Sequence, residues 1–232
     1  MNAVTRFIEL PDLRDRVRVF RDRAHAGRLL SGMLEEYRDS NALVVAVPAG
    51  GVPVAVAIGT CLGIAVDVAV VSKITLPWNT EAGYGALAFD GTLRLNDTLL
   101  AHAGLDEKEI AEGIEKTRRK IERRVGRMRQ GLGPLDIGGR TVILVDDGIA
   151  SGFTMRVAVE ALKHQGAKFV VIAVPTGHVR AVTDLAPSVG AVYCANVRTG
   201  QSFAVADAYE HWSDVSEEEA TGAVRNHVST QR

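Results

Sequence analysis

Cysteine is almost missing from this chain. Cys61 and Cys194 are its only two, far apart and in no CxxC spacing, so neither a disulfide framework nor a thiolate zinc site is expected, and a reducing cytoplasm fits. Aromatic residues make up 5% of the sequence. They are too sparse in the one basic stretch, Lys116 to Arg129, to form a stacking platform for single strands. Neither sign of charge dominates: 27 Lys and Arg stand against 28 Asp and Glu, for a net charge of −1, which argues against a nucleic-acid partner. No apolar run reaches the length of a bilayer span, and the N-terminal residues lack the apolar stretch of a signal peptide, so no membrane association is expected. The six histidines show no H-x-x-x-H spacing; His25, His102, His164, His211 and His227 read as surface residues. G-x-S-x-G and G-x-x-x-x-G-K-[ST] are both absent, which excludes a serine-elbow hydrolase and a P-loop NTPase.

What is present is a regular alternation. With 232 residues and 47% apolar content, the chain can build one α/β domain with a full core over 1–232. Residues 1–40 read as an N-terminal helical segment, because Val17, Phe20, Ala24, Leu30 and Leu34 recur at roughly helical spacing between Leu13 and Tyr37. Strands are predicted at 42–47, 66–71, 142–145, 169–174 and 189–195, with helices at 52–62 and 155–165, which argues for a parallel sheet flanked by helices. Through and before the basic run Lys116 to Arg129, the positions Ile110, Ile114, Thr117, Ile121, Val125 and Met128 fall at steps of three and four. The charges therefore decorate the outside of a long amphipathic helix, with Glu112, Glu115 and Glu122 interleaved as partners. Residues 196–232 form a C-terminal segment whose end, from about Ser213, is polar and expected to be partly mobile.

The most informative stretch is Val142-Ile143-Leu144-Val145-Asp146-Asp147-Gly148-Ile149-Ala150-Ser151-Gly152-Phe153-Thr154. An apolar run suited to a strand covered on both faces ends in two carboxylates, at the edge where open α/β sheets place ligands. Ionised, Asp146 and Asp147 can accept hydrogen bonds from the vicinal hydroxyls of a ribose. Gly148 and Gly152 bracket a turn whose N–H groups can converge on an anion, Ser151 and Thr154 add hydroxyls, and the next helix aims its positive end at the same place. These residues describe a sugar-phosphate site.

In this stretch the chain resembles the type I phosphoribosyltransferases, which bind 5-phosphoribosyl-1-diphosphate (PRPP). The resemblance extends to Phe20-Arg21-Asp22-Arg23-Ala24 with Ala26-Gly27, to Val47-Pro48-Ala49-Gly50-Gly51-Val52-Pro53-Val54-Ala55, and to Ser202-Phe203-Ala204-Val205. It covers most of residues 18 to 220 and points to a little-characterised bacterial and archaeal branch. What it implies is an α/β fold with a parallel sheet, helices on its faces and a small hood over the acceptor, built partly from the C-terminal segment with Tyr209 and Trp212. It also implies a homodimer, Mg²⁺ bound through PRPP rather than in a protein cage, and transfer of the phosphoribosyl group to a nitrogen acceptor, a nucleobase first among candidates.

Residue by residue, the resemblance assigns PRPP binding to Ala49, Gly50 and Gly51 of the diphosphate loop, which in the family often holds a cis non-proline peptide. The same assignment covers Lys73, Asp146, Asp147, Gly148, Ile149, Ala150, Ser151, Gly152, Phe153 and Thr154. Asp146, Asp147 and Lys73 are the catalytic candidates, Lys73 as a point charge for phosphate oxygens. A flexible catalytic loop is implied over Ile74 to Gly85, with Glu81, Tyr84 and Gly85 matching its pattern. Thr176 and His178, in a loop after the fourth predicted strand, are the acceptor-binding candidates. Relatives usually carry arginine where this chain has Ala49, which removes a donor fork suited to diphosphate. That departure supports an alternative: a PRPP- or nucleotide-sensing protein with this fold and no turnover.

Overall fold

The computed structural model describes residues 6–130 and 132–230, without the side chains of Thr80 and Glu81; the Glu81 expectation lies outside these residues. Six strands form one parallel sheet: β1 (Arg6–Ile8), β2 (Leu43–Ala46), β3 (Val66–Val68), β7 (Thr141–Val145), β8 (Phe169–His178) and β9 (Ala191–Arg198). Their order is β1-β9-β8-β7-β2-β3, and every pairing is parallel. The expectation of a helix-flanked parallel sheet is met.

Alternation along the central strands explains the two layers. On β2 and β7, Val44, Ala46, Ile143 and Val145 point into one core, shared with α1 (Arg23–Met33) and α2 (Gly51–Leu62). Leu43, Val45, Val142 and Leu144 point into the other, shared with α5 (Phe153–His164) and α6 (Val179–Leu185). A strand covered on both faces needs apolar residues at every position, which is why these runs read as continuous rather than alternating.

Four expectations are corrected. Residues 6–40 are not simply helical: β1 adds an edge strand on β9, short 3-10 turns lie at Pro11–Leu13 and Glu35–Tyr37, and the α-helix starts only at Arg23, where Asp22 accepts the His25 N–H. Asp15 and Arg18 have positive φ values of 57° and 53°, which no helix tolerates, so the apparent periodicity before Asp22 belongs to a loop. The run at 66–71 splits between β3 and β4 (Val71–Leu76). The latter pairs with β5 (Asn79–Ala88), and β5 with β6 (Leu93–Leu95), in a separate antiparallel sheet. The region 74–85 is therefore a β-hairpin, with Tyr84 buried and Trp78 exposed.

Third, β8 runs through to His178, so the segment from Pro175 is strand rather than loop. Fourth, the C-terminal segment ends in a packed helix, α7 (Glu217–Thr230), with Ala220, Val224 and His227 buried. His227 is no surface residue: its ring meets the Thr60 hydroxyl at 3.2 Å, and burial pushes its pKa down.

The basic stretch lies, as its spacing predicts, on one amphipathic helix. This is α4 (Glu107–Met128), which follows α3 (Asp97–Ala103) and starts at a capping box formed by Asp106 and Glu109. Thr117, Ile121 and Met128 are buried on its inner face, and Glu115 pairs with Arg118 and Arg119 outside. Arg124, one turn from Ile121, is buried too.

The α1–α2 contact is close because Gly27 faces Val54. A Cβ at Gly27 would sit 2.5 Å from the Val54 carbonyl oxygen and 2.7 Å from the Ala57 Cβ, whereas one at Gly32 would meet nothing. Gly27→Ala is expected to destabilise the fold by about 1–3 kcal/mol, and Gly32→Ala to stabilise it by up to about 1 kcal/mol. Chemical denaturation of both variants tests this; equal effects would show that the helices are not held at this spacing.

Candidate active site

The adjacency of β2 and β7 assembles the site. Ala46 lies in register with Val145, and the Val47 N–H donates to the Val145 carbonyl at 2.8 Å. The segment from Pro48 to Gly51 is thereby pressed against Asp146 and Asp147. The Pro48–Ala49 peptide is cis. A side chain at Gly50 would collide with the Asp147 carboxylate, and one at Gly51 would stand 2.7 Å from the Val145 carbonyl oxygen. Both glycines are thus required by close approach to the acids.

The two acids differ. Asp146 accepts the Asp147 N–H at 2.9 Å and faces two adjoining clefts. Burial, reinforced by the neighbouring Asp147 charge, raises its pKa well above the ordinary 3.8. Asp147 lines neither cleft. It receives the Arg23 Nε at 2.9 Å, and its backbone carbonyl accepts the Tyr209 hydroxyl at 2.6 Å. Burial still raises its pKa, against the opposing pull of Arg23. Arg23 is held from three sides: by Asp147, by the Ser213 carbonyl at 2.8 Å, and by the Trp212 ring, whose centroid is 3.9 Å from the guanidinium carbon. Stacking and fork geometry of this kind suit arginine and not lysine.

The first cleft, about 200 Å³, is lined by Lys73, Asp146, Gly148, Ile149, Ala150, Ser151, Gly152, Phe153, Thr154, Met155 and Val205. The Ile149 N–H donates to the Thr176 carbonyl and the His178 N–H to the Ile149 carbonyl, at 3.0 and 2.9 Å, fastening the turn to β8. Gly152 takes φ +73°, the left-handed conformation that lets the chain enter α5. Phe153, Thr154 and Met155 of the first turn of α5 line this cleft, the Phe153 N–H meets the Ser151 hydroxyl at 3.4 Å, and a helix N-terminus favours an anion beside it. The second cleft, about 310 Å³, is lined by Val47, Pro48, Val71, Ser72, Lys73, Thr75, Lys120, Asp146 and Thr154.

Most of the predicted site residues therefore converge. Asp146, Lys73 and Gly148 through Thr154 share one cleft, and Lys73 projects from inside β4 rather than following a strand. Ala49, Gly50 and Gly51 line neither cleft, and the two glycines press against the acids. Thr176 and His178 line neither cleft. Thr176 is fully buried and its hydroxyl donates to the Asn196 side-chain oxygen at 2.7 Å, so it has no hydroxyl to offer an acceptor. His178 stands at the start of α6 and its ring meets Phe203 edge-on, centroids 5.9 Å apart.

Sequence reasoning missed the roles of Arg23, Arg124 and Lys120. Arg23 lies in a stretch singled out by resemblance alone, and no spacing ties it to an acid 124 residues away. Arg124 and Lys120 were hidden among the charges of an amphipathic helix. The Arg124 Nη2 lies 3.4 Å from the Pro48 carbonyl, and its Nε lies 2.6 Å from Glu217, an ion-pair contact without hydrogen-bond alignment.

Because Asp146 binds its proton more tightly folded than unfolded, the native state loses stability as pH climbs above about 3.8, the ordinary carboxylate value. Asp146→Asn removes that penalty. The unliganded variant is expected to melt above the wild type at neutral pH, with the difference closing as pH falls below about 4. Thermal unfolding from about pH 3 to about pH 8 checks this; a difference independent of pH would refute the burial of an unpaired acid.

Comparison with known proteins agrees with this geometry. A family model described as a phosphoribosyl transferase domain matches residues 96–199. Two curated proteins from strains of Mycobacterium tuberculosis, provisionally named phosphoribosyl transferases, are each 34% identical over 203 residues, 88% of this chain. The chain spans about half the length of these relatives, 46%. The crystal structure of TT1426 from Thermus thermophilus is similar with a TM-score of 0.72 and 31% identity, covering 89% of this chain and 98% of that one. The acid pair, the glycine turn and these likenesses agree: the chain belongs to the phosphoribosyltransferase family.

Proposed function

We propose that the protein transfers the 5-phosphoribosyl group of PRPP to a nitrogen acceptor, most simply a nucleobase, releasing diphosphate with inversion at the anomeric carbon. One observation carries the reading: Asp146 and the turn from Gly148 to Thr154 share a single cleft with Lys73. The 5′-phosphate sits on the N–H groups and hydroxyls of 150–154, and the ribose hydroxyls donate to the carboxylate of Asp146, which lines the cleft, with Asp147 held beside it by Arg23. As the bond to diphosphate breaks, its electron pair leaves with the diphosphate oxygen and positive charge grows on the ribose. The acids stabilise that charge, and Arg23 orients Asp147 and favours its ionised form against the effect of burial. The raised proton affinity of Asp146 falls once a cation or the developing sugar charge lies beside it. A nitrogen lone pair then closes on the anomeric carbon from the opposite face. Lys73 holds phosphate oxygens, and His178 with Phe203 is the acceptor-side candidate.

Among the described residues no cluster of three or more His, Cys, Asp or Glu side chains could cage a metal. Asp146 is nevertheless a hard oxygen donor on both clefts, which suits Mg²⁺ carried in largely by substrate oxygens. When bound, Mg²⁺ neutralises charge on the departing diphosphate.

The alternative, a PRPP or nucleotide sensor without turnover, draws support from the lack of any charged side chain between Val47 and Val54. Incubation with PRPP, Mg²⁺ and pooled purine and pyrimidine bases, followed by mass spectrometry, separates the two. A base-dependent nucleotide is expected; PRPP bound yet intact with every base favours the sensor. Asp146→Asn combined with Asp147→Asn is expected to weaken PRPP binding by about tenfold or more, on the order of two lost charge-assisted hydrogen bonds. Unchanged affinity would overturn the assigned ribose site.

A further inference from the structure

The segment from Val47 to Val54 carries no charged side chain, yet the space beside it is not electrically neutral. The second cleft, against Pro48, is lined on its other side by Lys73 from β4 and by Lys120 from α4, with Ser72 and Thr75 adding hydroxyls. It shares Lys73, Asp146 and Thr154 with the first cleft. A ligand with its phosphate on the glycine turn and its sugar at Asp146 therefore extends its far end into this second space.

Lys120 is placed there by two contacts of its own helix. Ile121, buried beside it, fixes the rotation of α4, and Arg124 one turn on reaches the Pro48 carbonyl while Glu217 of α7 holds its guanidinium. Glu217 also engages Arg127, so the nearby acid is already taken up by arginines. Among the described side chains none forms an ion pair with Lys120. Lys120 is exposed at the cleft's edge, and partial burial together with the like charges of Arg124, Arg123 and Lys116 lowers its pKa, against the opposing pull of Glu217. A lysine held among cations at the wall of a cleft gains more from an incoming polyanion than one already paired with a carboxylate.

Resting on the PRPP reading above, we propose that Lys120 of α4, together with Lys73, supplies the positive charge that binds the diphosphate end of the ligand, in place of a cation on the loop after β2. The charge is thus displaced from the loop to a helix that Arg124 ties onto it.

Calorimetric titration of wild type, Lys120→Ala, Lys120→Arg and the outward-facing control Arg118→Ala tests this, each against PRPP with Mg²⁺, inorganic diphosphate and ribose 5-phosphate. Lys120→Ala is expected to weaken PRPP and diphosphate by about tenfold or more, with ribose 5-phosphate unchanged, Lys120→Arg largely restored and Arg118→Ala like wild type. Wild-type affinity for PRPP and diphosphate in Lys120→Ala would overturn the inference and leave the PRPP reading standing. Equal weakening of all three ligands would overturn it too, since it marks a structural role. Failure of the wild type to bind either PRPP or ribose 5-phosphate would overturn the PRPP reading itself, and the inference with it.

Discussion

The parallel pairing of β2 with β7 is the constraint on which the site depends. It brings the carboxyl ends of two strands, separated by nearly a hundred residues of chain, to one rim. The loop after β2 then has to pass directly over the acids after β7. That passage explains the glycines at 50 and 51: the space a side chain would need is occupied by the Asp147 carboxylate and the Val145 carbonyl. The backbone of one strand end is the wall of the other's site, so the loop and the acids are one packing unit.

Electrostatics then divides the labour between two neighbouring acids. Asp147 is tied to Arg23 and, through its carbonyl, to Tyr209, whereas Asp146 faces open clefts with only a backbone donor. Two adjacent buried carboxylates cannot both be comfortable as anions without compensation. Arg23 offsets part of the burden on one, and among the described residues no side chain forms an ion pair with the other. Trp212 and Ser213, which clamp Arg23, make the C-terminal segment part of this arrangement. The C-terminal segment is thereby connected to the acid pair through a guanidinium.

Helix α4 has a similar double character. Its buried stripe packs it to the rest of the molecule, while Arg124 and Lys120 emerge at the edge of that stripe against the loop after β2. The antiparallel sheet of β4, β5 and β6 supplies Lys73 from the other side. Structural elements outside the parallel sheet thus deliver the cations, and the parallel sheet delivers the acids and the glycine turn.

How much of this was legible in the primary structure follows from the range of each interaction. The run from Val142 to Thr154 encodes strand, acids, turn and helix start in one short consecutive stretch, and local rules of burial, turn geometry and helix polarity suffice to read it. The parallel sheet was legible for the same reason, from alternating apolar runs. Single-sequence periodicity misled where tertiary context decides. The stretch before Asp22 looks helical yet contains residues at positive φ, and Thr176 looks available yet spends its hydroxyl on Asn196. The partnership of Arg23 with Asp147, the placement of Lys120 beside Pro48 and the burial of His227 under α2 join residues far apart in the chain. No spacing rule reaches across such separations. By itself the sequence determined the strand, acid pair and glycine turn at the end of β7; only tertiary packing decided which acid is paired with arginine, which faces the clefts, and from where the cations come.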